Sequence, residues 1–143
     1  MLKIEIIKIV YTLLVFSTLN GQNIDLYLSL ISEGKTSGVR ESLQELLSKY
    51  PNDPGVLYLK ALLTKDGQSA LNQYKNIINN HSDSKYAPDS AMKIGEYFYA
   101  KGLYTQSANL LKNIPAKYPR YNQMQRLTDL MINSFNAIGE SDS

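Results

Sequence analysis

A chain of 143 residues has room for one domain or a few stacked repeats. Hydrophobic residues make up 43% and charged residues 20%, too apolar a balance for a disordered chain. The net charge of +2 gives no electrostatic reason to expect nucleic acid or anionic lipid, and the absence of cysteine excludes disulfides, thiolate chemistry and cysteine metal sites.

The N-terminus has the order of a cleaved secretory signal. Lys3 and Lys8 precede an apolar run from Ile9 to Phe16, and Ser17, Thr18, Asn20 and Gly21 follow. Cleavage is expected after Gly21, although Leu19 departs from the favoured small residue three before the cut. The alternative is an uncleaved anchor. The run is far shorter than the roughly 18 apolar residues of a spanning helix, so the processed chain is not expected to span a membrane. Removing 1–21 takes away Lys3, Glu5 and Lys8, leaving 13 basic and 12 acidic side chains. The predicted organisation is a signal over 1–21, a helical repeat domain over 22–139 and a polar tail over 140–143.

Apolar spacing and breakers then predict helices in pairs. The first pair covers Asn23–Ser32 and Ser37–Lys49, divided at Gly34 and stopped by Pro51. The second covers Pro54–Lys65 and Gln68–Asn79 around the turn Asp66-Gly67. The third covers Asp89–Lys101 and Thr105–Lys117, with Gly102 at a left-handed helix-ending position. A last helix is expected over Asn122–Ile138, ending at Gly139, with Leu127, Met131 and Phe135 on its inner face and Leu130 beside them. Asn122, Gln123, Gln125, Arg126, Asp129 and Asn133 would give it the polar outer face of a solenoid cap. The other reading of this helix is the first half of a fourth repeat in a longer protein.

Self-similarity supports the pairing. Ala70, Tyr74 and Ile77 recur 37 positions later as Ser107, Leu111 and Ile114, and Pro51 to Pro119 is 68 residues, twice a period of roughly 34. Small residues at Ala61, Gly95, Ser107 and Ala108 would let helices approach, while Leu59, Leu62, Ile94, Phe98 and Leu111 fill the gaps.

Between Pro88 and Pro119, the residues Ile94, Gly95, Phe98, Gly102, Tyr104, Ser107, Leu111, Ile114 and Pro119 stand at the spacings of a tetratricopeptide repeat. The chain resembles the tetratricopeptide family over 88–119, less closely over 54–82, and least over 23–51. The linkers Tyr-Pro-Asn-Asp-Pro at 50–54 and Ser-Lys-Tyr-Ala-Pro-Asp-Ser-Ala at 84–91 are similar to those of periplasmic envelope members. These include Tol–Pal-associated coordinators and outer-membrane assembly lipoproteins. The resemblance implies an all-α, right-handed solenoid of about three helix pairs plus a C-terminal capping helix. It implies a periplasmic or cell-envelope scaffold that holds a protein or peptide partner on the concave face of its repeats. By register that face carries Tyr58, Leu62, Met92, Glu96 and Tyr99. The alternative is a spacer or dimerisation element for a further C-terminal domain, such as a peptidoglycan-binding SPOR domain. The chain departs from the lipoprotein members in having no lipobox cysteine, and no SPOR-length segment follows Gly139.

No enzyme signature stands out, and neither a cofactor nor a metal is expected. His81, the one histidine, sits in Asn79-Asn80-His81-Ser82-Asp83. It could be a general base beside Asp83, but such turns are ordinarily solvated loops. Glu41 and Glu45, four apart, suit a metal or acid pair, or more simply a solvated helix face. The 11 tyrosines are densest at Tyr97-Phe98-Tyr99 with Tyr104, and could line a binding face or cover seams between repeats.

Overall fold

The computed structural model describes residues 24–141. The expected signal over 1–21 lies outside them, as do Asp142 and Ser143 of the expected tail. All regular structure among the described residues is α-helical. In chain order it comprises α1 (24–32), α2 (Thr36–Lys49), α3 (Pro54–Leu63) and α4 (Gly67–Asn80). There follow α5 (Ala87–Ala100), α6 (Tyr104–Leu111), α7 (Ile114–Lys117) and α8 (Met124–Ser141). The chain divides after Leu59, inside α3, into two compact units.

In the first unit, α1 ends at Gly34 with φ +77°, a backbone state that glycine adopts without steric cost. The Lys35 N–H bonds the Leu30 carbonyl at 2.8 Å and the Gly34 N–H bonds that of Ile31 at 3.0 Å, a Schellman closure. The next helix, α2, stops at Tyr50, whose N–H bonds the Leu46 carbonyl at 2.8 Å just before Pro51. Asp53 then starts α3, its Oδ1 accepting the N–H groups of Gly55 (2.9 Å) and Val56 (3.0 Å), while Pro54 takes the first helical position. Ile24, Val39, Val56, Tyr58 and Leu59 are buried here, Leu59 as expected of a core-filling position.

The second unit repeats these devices. Its Schellman glycine is Gly102, with φ +72°, where the Leu103 N–H bonds the Phe98 carbonyl at 2.8 Å and the Gly102 N–H bonds that of Tyr99 at 2.9 Å. Gly34 and Gly102 are 68 residues apart, and so are the helix-closing residues Tyr50 and Tyr118. Between them His81 closes α4 in the same way, its N–H on the Ile77 carbonyl at 2.8 Å. Asp66 starts α4 by accepting from the Ser69 N–H at 2.8 Å, and the Ser69 side chain together with that N–H holds its carboxyl below the usual range.

Packing in the second unit is sequential: α4 lies on α5, α5 on α6 and α6 on α8, with α8 also reaching α5. The closest approach is set by Gly95. A Cβ there would stand 2.7 Å from Cδ2 and 3.0 Å from Cγ of Leu111, which is itself fully buried. The small residues Ala61, Gly95, Ser107 and Ala108 are all buried, as expected of close-packing positions, and Ile94 and Leu111 fill the interior. Leu62 and Phe98 are only half-buried.

Two helices differ from expectation. The predicted helix Thr105–Lys117 is broken after Leu111, and the reason is Pro115. Proline cannot donate to the carbonyl four residues earlier, which is that of Leu111, and its ring crowds that carbonyl. A turn at Lys112-Asn113 intervenes, with Asn113 Nδ2 donating to the Asn109 carbonyl at 2.8 Å, before α7 resumes. The last helix passes through Gly139, expected as its end, and continues to Ser141. Its inner face also differs. Ser134 is fully buried while Phe135, expected inside, is 49% exposed beside Ile132 at 48%. The outer face therefore carries two large apolar side chains among its polar residues.

Candidate functional site

Three residues expected on one binding face, Met92, Glu96 and Tyr99, do share one face of α5, being spaced by four and three. Met92, however, is 2% exposed and packs in a core cluster with Ala91, Leu111, Ile114, Tyr121 and Leu127. Tyr58, which belongs to the first unit, is also buried, at 6%. Leu62, Glu96 and Tyr99 are half-buried. The accessible part of the expected face in the second unit is thus Leu62, Glu96 and Tyr99.

Glu96 is the hub of a polar network that joins α5 to the start of α8. One carboxylate oxygen takes the Lys93 ammonium at 2.9 Å, and the other takes the Arg126 guanidinium. Arg126 also donates to Gln123 Oε1 at 3.2 Å. Gln123 in turn donates to Asp89 Oδ1 at 3.0 Å, and the Tyr121 hydroxyl donates to the same oxygen at 2.8 Å. Lys93, Glu96 and Asp89 come from successive turns of α5, while Tyr121 and Gln123 come from the segment that leads into α8 and Arg126 from its first turn.

Burial dominates the electrostatics at the inner end. It raises the Asp89 carboxyl above its ordinary value, against the opposing pull of the Tyr121 hydrogen bond and of Lys93, Arg126 and Lys85. The Tyr121 hydroxyl is pushed well up for the same reason, and the adjacent Asp89 charge adds to the rise. At the outer end Tyr99 packs on Tyr104 with ring centroids 5.2 Å apart at 60°.

A second contact of α8 is made through small hydroxyls. Ser134 Oγ lies 3.0 Å from Ser107 Oγ and 2.8 Å from the Leu130 carbonyl, and Ser107 donates to the Gly95 carbonyl at 3.0 Å. Both serines are fully buried, so α8, α6 and α5 are linked by one short hydrogen-bonded chain.

The other candidates take ordinary structural places. His81 closes α4 through its backbone, and the Asp83 carboxylate accepts from Ser82 at 3.4 Å. Glu45 is exposed and paired with Lys49 at 2.5 Å, which lowers the Glu45 carboxyl and raises the Lys49 ammonium. Among the described residues no group of three or more His, Asp and Glu side chains is placed to hold a metal ion. No helix among them is long and apolar enough to cross a membrane. The network residues Asp89 and Tyr121 escaped the sequence reading because the contact spans 32 residues and neither position has a local signal for it.

Neither a family model nor a curated protein matches the chain.

Proposed function

We propose that the chain is an exported protein–protein interaction scaffold of the tetratricopeptide type, working in the periplasm or cell envelope without catalytic chemistry of its own. The observation that carries this reading is the recurrence of one local design at 68 residues. In each unit a helix ends on a Schellman glycine, Gly34 or Gly102, and the segment after it closes on a Tyr-Pro step, Tyr50 or Tyr118. Sequentially packed helices of this kind present long side-chain surfaces and gather few groups into an acid–base constellation. The charged, apolar, small-residue order at 1–21 supports export.

The partner is held on the face of α5 that carries Glu96 and Tyr99, with Arg126 of α8 beside it. Tyr99 offers a rigid apolar ring with a polar tip, and the half-buried Lys93 and Glu96 with the exposed Arg126 offer both signs of charge. The test is photo-crosslinking from position 99 in native envelope, followed by mass spectrometry, with position 125 on the exposed side of α8 as control. A discrete adduct from 99 that is lost in Glu96→Ala supports the reading. Crosslinks equal at the two positions, or none, reject it.

A further inference from the structure

We propose that the edge where α4 meets the C-terminal half of α5 docks an acidic segment of a protein partner. The near-neutral total conceals an asymmetry. Residues 24–59 carry three Lys and Arg against five Asp and Glu, whereas 60–143 carry ten against seven. Within the second unit Lys93 and Arg126 are both taken by Glu96. Lys75 and Lys101 are exposed and have no ion pair among the described residues.

These two lysines flank an aromatic pair. Lys75 Nζ stands 5.9 Å from the centre of the Phe98 ring and Lys101 Nζ stands 5.8 Å from that of Tyr97. The two rings are 6.2 Å apart, edge to face. Tyr97 is fixed against the first turn of α4. Its hydroxyl donates to Gln68 Oε1 at 3.3 Å, and its Cε2 stands 3.0 Å from where a Cβ on Gly67 would lie. The result is a half-buried apolar floor with an ammonium group on either side, already ordered before any partner arrives.

The chemistry selects among anionic partners. A nucleic acid strand carries a phosphate at every nucleotide and is held by a basic groove that tracks its backbone, whereas this edge supplies two lysines. An anionic membrane surface needs a cluster of about four to eight basic residues, more than this edge supplies. A peptide with spaced carboxylates fits: the carboxylates meet Lys75 and Lys101, and aliphatic side chains between them rest on Phe98 and Tyr97.

This inference rests on the scaffold reading but concerns a different face, so each can fail alone. Crosslinking from position 99 reports on the Glu96–Tyr99 face, and the following titration reports on the α4–α5 edge. A fluorescent peptide of glutamate, leucine and serine is titrated into the processed protein at low salt, beside its counterpart with glutamine for glutamate, an oligothymidylate and phosphatidylglycerol vesicles. The glutamate peptide should bind and the glutamine peptide should not. Lys75→Gln/Lys101→Gln should weaken binding about tenfold, as two lost charge pairs imply. Lys35→Gln, on a lysine already paired with Glu33, should leave it unchanged. Equal binding by the double variant with its helicity intact overturns the proposal. So does tighter binding of the oligothymidylate or the vesicles than of the glutamate peptide.

Discussion

The contact of α5 with α6 and the contact of α5 with α8 differ in what limits each of them. The first is a tight apolar fit: Gly95 brings the helices together and Leu111, fully buried, occupies the space that a side chain at 95 would need. The second adds to the core cluster shared by Met92 and Leu127 a half-exposed polar network of hydrogen bonds and ion pairs from Asp89 to Arg126. Apolar close packing tolerates almost no change of volume, whereas an exposed ion pair contributes about 0–1 kcal/mol and is screened by salt. The first contact therefore tolerates substitution least, and the polar network of the second sets how firmly the start of α8 is held.

The sharpest way to break that contrast is Leu111→Ala, which should cost about 2–5 kcal/mol by denaturant melting. A cost as small as that of a surface change would remove the distinction. Gly95→Leu should cost about 1–3 kcal/mol or more through overpacking, read as a clear fall in melting temperature. The two positions should be coupled. Gly95→Ala should destabilise the native protein, yet cost less or even stabilise in the Leu111→Ala background, where alanine's advantage of about 1 kcal/mol in a helix is released.

Smaller effects belong to the α8 contacts. Ser134→Ala should cost about 0.5–1.5 kcal/mol, because Ser107 is itself buried and relies on the same short chain of hydrogen bonds. Arg126→Gln should cost less than about 1 kcal/mol, and the loss should shrink as salt is raised. Asp89→Asn is expected to have the opposite sign. The folded-state carboxyl is raised above its unfolded value, so ionising it disfavours folding as pH rises through the folded value. The variant should accordingly be slightly more stable at neutral pH, with the gain fading as pH falls towards the ordinary carboxylate range. A pH series of thermal melts reads the effect directly.

Much of this was legible in the sequence, for identifiable reasons. Gly102 and Gly34 announce helix ends because few other residues adopt a positive φ cheaply, and Gly95 announces a close approach because the large residues around it need a gap to fill. The break at Leu111 was also written in the chain, as Pro115, but the run of apolar residues around it pointed the other way. The face of α8 was not legible. Ser134 and Phe135 are adjacent, about 100° apart on the helix, and hydrophobicity favours the wrong one. What places Ser134 inside is a partner hydroxyl on Ser107, 27 residues away. For the same reason a register that put Tyr58 and Met92 on an open surface missed that both are buried.

The interruption between α6 and α7 has a consequence for how the second unit opens. With only four residues, α7 is too short to hold itself together, and it is kept in place by the buried side chain of Ile114. The amides of Lys117 and Tyr118 close on Asn113 and Ile114 and do not continue the ladder of α6. In hydrogen exchange they should therefore open as a small local unit, trading protons well before the amides of α6 and at a rate insensitive to the global stability of the fold.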